Sequence, residues 1–289
     1  MQLANGLWRI RADNPSPMTG SGTNTYLLRG PDGAVVIDPG PALPSHLTAV
    51  LTALNGLALR AILLTHPHLD HSAGVAPLQA ATSAKVYGFG PATAGRSALM
   101  QRMAAEGLAG GGEGVDAGFV PDVLVAHGDV LTLAGLVIEA IHTPGHMGAH
   151  LSFAHGDDLF SGDHVMGWAS TLISPPDGDM AAYMASLARL SARNWRQFWP
   201  GHGEVVSDPK ARLAELANHR RAREAAIYAA LKAGPARPDD LAAQLYTDTP
   251  SALLPAAARN VLAHLIDLHD RNLVTTADPI GPNAHFHRI

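Results

Sequence analysis

Sixteen histidines in 289 residues are more than a packed core needs, and their placement is uneven. His66-Pro-His68-Leu-Asp70-His71 puts three imidazoles and a carboxylate into six residues. Imidazole nitrogen and carboxylate oxygen are the donors of Zn²⁺, and iron or manganese accept the same set. Three further segments each add one such donor: His146 in Thr143-Pro-Gly-His146, Asp163 in Ser161-Gly-Asp163, and His202 in Pro200-Gly-His-Gly203. A glycine beside each donor permits close backbone approach. Each of these three alone reads as structural, but together with the histidine cluster they make four such segments in one chain and point to a metal centre. Cysteine is absent, which excludes a thiolate site, a cysteine nucleophile and a disulfide framework.

Donors from distant segments must be brought together by the elements that precede them. Leu59–Leu64 reads as a buried strand running straight into Thr65, so the loop after it can fan four side chains toward adjacent points. His146 follows a strand expected at Leu136–His142, Asp163 one at Leu159–Ser161, and His202 a short run at Gln197–Trp199. Other strands are expected at Thr23–Arg29, Ala34–Asp38, Ala84–Tyr87, Val130–Leu133 and Leu151–Ala154. Helices are expected at Pro44–Asn55, Ser97–Glu106 and Met180–Ala192. Gly107–Gly118 is too glycine-rich for regular structure and reads either as a flap or as a surface linker.

The character changes after Asp208. Helices are expected at Pro209–Ala233, Pro238–Leu245 and Pro255–Arg271, followed by strands near Asn272–Ala277 and Ala284–Ile289. Three helices and a hairpin are the pattern of a winged-helix unit. The expected domains are therefore 1–208, carrying the donors, and 209–289.

Composition narrows the classes. Hydrophobic residues are 47% and charged residues 16%, enough apolar material for a sizeable core and too few charges for a disordered chain. The start of the sequence has no basic segment followed by an apolar one, and no apolar run reaches the ~18–20 residues of a membrane span. A soluble, cytoplasmic protein without a membrane partner is expected. Residues 1–208 hold 10 basic and 17 acidic side chains, a net of −7, while residues 209–289 hold 10 and 8, a net of +2. The second value is weak for a nucleic-acid module.

The order HxHxDH, TPGH, GD, GH resembles the metallo-β-lactamase superfamily over about residues 1–208. The resemblance implies an α+β fold, an αββα sandwich with two divalent ions, zinc before iron or manganese, at one edge between the sheets. Carried onto this sequence, His66, His68 and His146 would hold one ion, Asp70, His71 and His202 the other, and Asp163 would bridge them. The winged unit, with Gly162–Trp168 and Ser174–Asp179, is similar to the β-lactamase-like protein 2 family.

The implied function is a dinuclear metal-dependent hydrolase with a metal-bridging hydroxide as nucleophile. Its substrate would be a small acyl compound: a thioester, ester or lactone. Asp70 is the catalytic candidate, able to orient or accept the proton of the attacking water. The alternative is cleavage of single-stranded RNA, with Arg220, Arg221 and Arg223 offered to phosphate. Against RNA stand the −7 of the first unit and the 5% aromatic content. A non-catalytic metal-binding regulator is a third reading, which the complete donor set disfavours. In place of nucleic-acid binding, the winged unit would serve as a lid or as the contact of a homodimer.

Other histidines have competing readings. His150 and His164 are candidates for substrate contact or for hydrogen bonds behind the ligands, with a purely structural role as the rival. His142 reads as a strand residue, His127 as surface, and His285 and His287 as incidental. Met147 stands where the superfamily commonly has Thr. Lack of cysteine excludes the Asp-Cys-His metal set of many true β-lactamases, so antibiotic hydrolysis is not expected.

Overall fold

Alternation along the strands decides the layering, because successive side chains point to opposite faces of a sheet. The computed structural model describes residues 1–4, 6–110 and 114–289. One sheet has seven strands in sequential order: β1 (Gln2–Ala4), β2 (Leu7–Arg11), β3 (Asn24–Gly30), β4 (Gly33–Ile37), β5 (Leu59–Leu63), β6 (Lys85–Gly88) and β7 (Val123–Leu124). The other has five, β8 (Val130–Leu133), β9 (Leu136–His142), β10 (Leu151–His155), β11 (Asp158–Gly162) and β12 (Gln197–Pro200), ordered β12-β11-β10-β9-β8.

Tyr26, Leu28, Val35, Ile37, Ala61 and Leu63 face the second sheet and pack on Ile138, Leu151, Phe153, Phe160 and Trp199. Their neighbours Leu27, Val36 and Ile62 face outward, onto Val50 and Leu54 of α1 (Pro44–Leu54) and Leu78. Leu69–Ser72 forms the short α2, Leu78 belongs to α3 (Val75–Thr82), and α4 spans Ala98–Ala105. On the far side, Ile141, Leu159 and Phe198 pack against Tyr183, Leu187 and Leu190 of α5 (Met180–Ser191). The layers are therefore helix, sheet, sheet, helix.

The C-terminal part begins with α6 (Pro209–Ala230), followed by α7 (Pro238–Leu245), α8 (Leu254–Asp270) and the two-stranded pair β13 (Val274–Thr275) and β14 (His287–Arg288). Leu213 and Leu216 of α6 complete the outer layer of the sandwich. Ile227, further along the same helix, joins Val261, Leu262, Leu265, Ile266 and Phe286 in a separate core that also takes in Met100 and Met103 of α4. One helix thus serves both cores.

β1, β2, β7, α2 and α3 are absent from the expected elements. The reason is local. β2 interleaves arginine with apolar residues over only five positions, and α3 is an eight-residue helix with Pro77 in its first turn, where proline is tolerated but periodicity is hidden. Of the expected flap, residues 111–113 lie outside the described residues. Its flanks are anchored: Leu108 is buried in the C-terminal core, Leu69 N donates to Gly114 O at 2.8 Å, and Ser72 Oγ donates to Asp116 Oδ2 at 2.7 Å. Among the described residues no helix is long and apolar enough to cross a membrane.

Candidate metal centre

β4 and β5 are parallel, and β9, β11 and β12 run in one direction, since β10 is antiparallel to both β9 and β11. The C-terminal ends of these strands meet at one edge, where Asn24 N donates to Gly201 O (2.7 Å) and Leu151 N to Thr65 O (2.7 Å) across the two sheets. All seven donors leave from these ends. Ligand atoms within 4.8 Å of one another form three groups: His66, His68 and His146; His66, His71 and Asp163; and Asp70, His71 and His202.

Fixed hydrogen bonds decide which nitrogen of each ring is left over. His71 Nδ1 lies 2.9 Å from Asp38 Oδ2, and a carboxylate can only accept, so the proton sits on Nδ1 and Nε2 faces the site. The same logic applies to His146, whose Nδ1 donates to Leu172 O at 2.7 Å, and to His202, whose Nδ1 faces Gly22 O at 3.4 Å. Thr65 Oγ1 donates to Asp38 Oδ2 (2.7 Å) and so accepts from His66 Nδ1 (3.0 Å).

His66 Nε2 is then 3.1 Å from His68 Nδ1, which is 3.0 Å from His146 Nε2. Nitrogens this close need a cation or a shared proton between them. Asp163 reaches both halves, with Oδ2 at 3.2 Å from His202 Nε2 and 4.0 Å from His146 Nε2. Its Oδ1 is buried, accepts no hydrogen bond, and has His71 Nε2 at 3.5 Å. Converging lone pairs and a bare carboxylate oxygen fit divalent ions, and the all-nitrogen, oxygen donor set suits zinc, iron or manganese.

The electrostatics agree. Burial pushes His68 down to about 3, with the neighbouring His146 adding to the effect, and it drives His66 well below the usual range. Burial acts in the same direction on His71 and His202 but is overcome by Asp70, Asp163 and Asp38 around His71 and by Asp163 beside His202. His71 sits well above the usual histidine value, and His202 is raised to about 9. Burial likewise opposes ionisation of Asp70 and Asp163, yet His71 and His202 hold both far below the usual carboxylate range. This half of the site favours positive charge, which a bound cation supplies.

Glycine is obligatory at two points. A Cβ on Gly201 would lie 2.3 Å from Asp163 Oδ1 and 2.7 Å from His71 Cε1, and one on Gly162 (φ +50°) would lie 2.6 Å from His150 Nε2. Asp70 Oδ2 is 3.3 Å from His71 Nε2 and 3.2 Å from His202 Nε2, and accepts from Thr23 Oγ1 at 3.0 Å. With its side chain 27% exposed, Asp70 is more open to solvent than His71, His146, Asp163 or His202.

His150 is fully buried: its Nε2 accepts from Asp163 N at 3.2 Å, and its Nδ1 donates to Thr143 Oγ1 at 2.9 Å. It braces the Asp163 backbone. His164 is also fully buried, against Tyr183 with ring centroids 4.8 Å apart, and neither nitrogen has a hydrogen-bond partner. His142 stacks on Phe89 within β9, and His127, His285 and His287 are exposed. Met147 is buried, so no hydroxyl stands at that position.

Asp38, Thr65, Thr23 and the Leu172 carbonyl escape the sequence reading. Asp38 carried a usable signal: an acid closing the apolar strand β4 just before Pro39-Gly40, where burial demands a partner. The arginines offered to phosphate need correction. Arg220 is 1% exposed and bonded to Thr171 O and to Asn260 Oδ1, because its helix face packs inward. Arg223 donates to Leu245 O (2.7 Å) and lies over the Tyr246 ring at 4.1 Å. Of the three, Arg221 alone is exposed.

Comparison with known proteins follows this geometry. A family profile described as the metallo-beta-lactamase superfamily matches residues 18–207, and one described as the beta-lactamase associated winged helix domain matches residues 238–279. The beta-lactamase-like protein 2 homolog of Drosophila melanogaster is 32% identical, over 92% of this chain and 89% of that protein. An atrochrysone carboxyl ACP thioesterase of Aspergillus chevalieri is 31% identical, over 78% of this chain and 65% of that protein. The crystal structure of a metallo-beta-lactamase family protein from Thermus thermophilus superposes with a TM-score of 0.80 over 99% of both chains, at 23% identity, and so shares the fold.

Proposed function

The chain belongs to the metallo-β-lactamase superfamily of hydrolases, and on that premise we propose that it is a dinuclear metal-dependent hydrolase of acyl thioesters. The observation that carries the reading is the convergence of seven donors at one sheet edge, with Asp163 reaching both halves of the group. His66, His68 and His146 would hold one ion, Asp70, His71 and His202 the other, with Asp163 between them. Zinc is the first choice, and iron or manganese suit the same donors. Two ions bound there supply Lewis acidity and a water acidified from 15.7 toward about 7.

The side chains do the rest. Asp70, held ionised by His71 and His202 and partly open to solvent, would orient the attacking water or accept its proton. Thr23, donating to Asp70 Oδ2, fixes which carboxylate oxygen faces the ligands. Asp38 keeps the His71 proton on Nδ1, so Nε2 stays a ligand.

Substrate class rests on the thioesterase relative and on the rim. Leu69, between His68 and Asp70, and Trp168, whose ring lies against Gly20 and Gly203, are each 47% exposed. Such a border suits an acyl group better than a phosphodiester backbone. Two of the three arginines offered to phosphate make hydrogen bonds within the protein, which speaks against the RNA reading.

The test sets acyl-CoA and acyl-pantetheine thioesters against end-labelled single-stranded RNA, using zinc-loaded protein with Asp70→Ala as control. Thiol release can be read with a thiol reagent directly, because the chain has no cysteine of its own. Thioester cleavage that disappears in the variant supports the proposal. RNA cleavage that disappears in the variant, without thiol release, overturns it.

A further inference from the structure

The stretch between Asp163 and α5 has no helix or strand, yet four side chains of the C-terminal helices grip it along its length. Arg212 of α6 donates from Nε to Met166 O (2.7 Å) and from Nη2 to Ala169 O (2.8 Å). Arg220, eight residues and just over two turns further along α6, donates to Thr171 O and, from Nη1, to Asn260 Oδ1 at 3.2 Å. That same Asn260 oxygen, on α8, accepts from Ile173 N at 3.0 Å. Arg259 donates to Ser174 Oγ at 2.8 Å and to Pro175 O.

Between the residues gripped by Arg220 and Asn260 lies Leu172. Its carbonyl accepts the Nδ1 proton of His146 at 2.7 Å, and Thr171 Oγ1 lies 3.2 Å from the same nitrogen. A ring nitrogen held in this way fixes both the tautomer of a histidine and the direction of its other nitrogen. Arg220 is buried, and a guanidinium out of water must be compensated by hydrogen bonds. Its Nη2 donates to Thr171 O beside the His146 acceptor and its Nη1 to Asn260 Oδ1, while Nε has no partner.

We propose that Arg220 and Asn260 are positioning residues of the metal centre, fixing the Leu172 carbonyl that aims His146 Nε2 at its ion. This rests on His146 being a ligand. It gives the winged unit a task within the hydrolytic site: its helices form the outer wall that holds one ligand in register. The unit is then needed by the reaction even with no nucleic acid bound.

Metal affinity tests the proposal without reference to turnover. The metal-free full chain is titrated with Co²⁺, followed by its visible absorption and by competition with a chelator. Wild type is compared with His146→Ala, Asn260→Ala and Asn260→Asp, all well below their melting temperatures. Asn260→Ala is expected to weaken one of the two ions by about 10–100-fold, the scale for losing a partner behind a ligand, and to leave the other unchanged. Asn260→Asp keeps an acceptor for both Arg220 and Ile173 and restores wild-type binding.

Wild-type affinity for both ions in Asn260→Ala, with only the melting temperature lowered, would overturn the proposal. Wild-type affinity in His146→Ala would instead remove the ligand assignment beneath it, so the two failures are distinct. Should Asn260→Ala not fold, Arg220→Lys gives the same readout: a weakened single ion supports the positioning role, and unchanged binding rejects it.

Discussion

The metal edge and the C-terminal helical core both bury histidine, with opposite consequences. At the edge, His66, His71, His146 and His202 each present one ring nitrogen to a protein oxygen and the other to the cluster. In the C-terminal core, His264 lies on α8 between Ala263 and Leu265, 1% exposed, and neither of its nitrogens has a hydrogen-bond partner. Burial pushes it down to about 3, and the nearby Arg220 adds to the effect. A buried imidazole becomes a ligand when its protonated nitrogen is pinned and the other meets further lone pairs. Without those partners it is a neutral filler that costs stability in acid.

The largest effect expected from this contrast is at Asp163. Asp163→Ala removes the carboxylate that reaches both halves, and we expect at most one ion per chain by elemental analysis. Turnover should fall by more than about 100-fold, beyond the loss from a partner behind a ligand. Two ions per chain in the variant would contradict the bridging role. Asp38→Asn is next. It leaves an acceptor for His71 but removes the charge, and metal affinity should drop by about 10–100-fold, measured by chelator competition. An unchanged affinity would mean that the Thr65 contacts alone hold the ligands.

His264 sharpens the other side of the comparison. Its folded value lies below the unfolded 6.5, so the unfolded chain binds the extra proton and stability falls as pH drops from 6.5 toward about 3. His264→Leu removes that loss. Its stability relative to wild type should improve by about 2 kcal/mol between pH 6.5 and pH 5, at roughly 1.4 kcal/mol per pH unit. Urea unfolding at the two pH values reads the difference, and a constant offset would show that His264 finds a partner in solution. The smallest effect is expected for exposed Arg221. Arg221→Ala should leave thioester turnover unchanged and stability within about 0.5 kcal/mol.

The same contrast explains what could be read in the sequence. Donors at the edge were legible because metal chemistry restricts residue types, and each donor follows a strand whose apolar run announces it. His66 and His68 lie on the turn after β5, and Asp70 and His71 on the short α2 that follows it. Asp38, Thr65 and Leu172 act through hydrogen bonds made across 27 to 33 residues between the segments that follow β4 and β5, or by a backbone carbonyl, and neither leaves a residue-type signature. Arg220 misled for the opposite reason. A run of arginines looks like a surface patch until the helix phase is known, and that phase turns Arg220 inward and leaves Arg221 out. The αββα layering was readable from the family resemblance, and the winged unit from the order of its helices and strands. The sharing of α6 between two cores was not, since Leu213, Leu216 and Ile227 stand apart among alanines and charged residues, and nothing in that pattern says which core each enters.

On the proposed function, hydrolysis needs two ions at the edge where the strand ends meet. The decisive experiment titrates the metal-free protein with zinc while following thiol release from an acyl thioester. Turnover is expected to rise to a plateau at two ions per chain and to be abolished by chelation. Full activity at one ion per chain, or activity that survives complete metal removal, would contradict it.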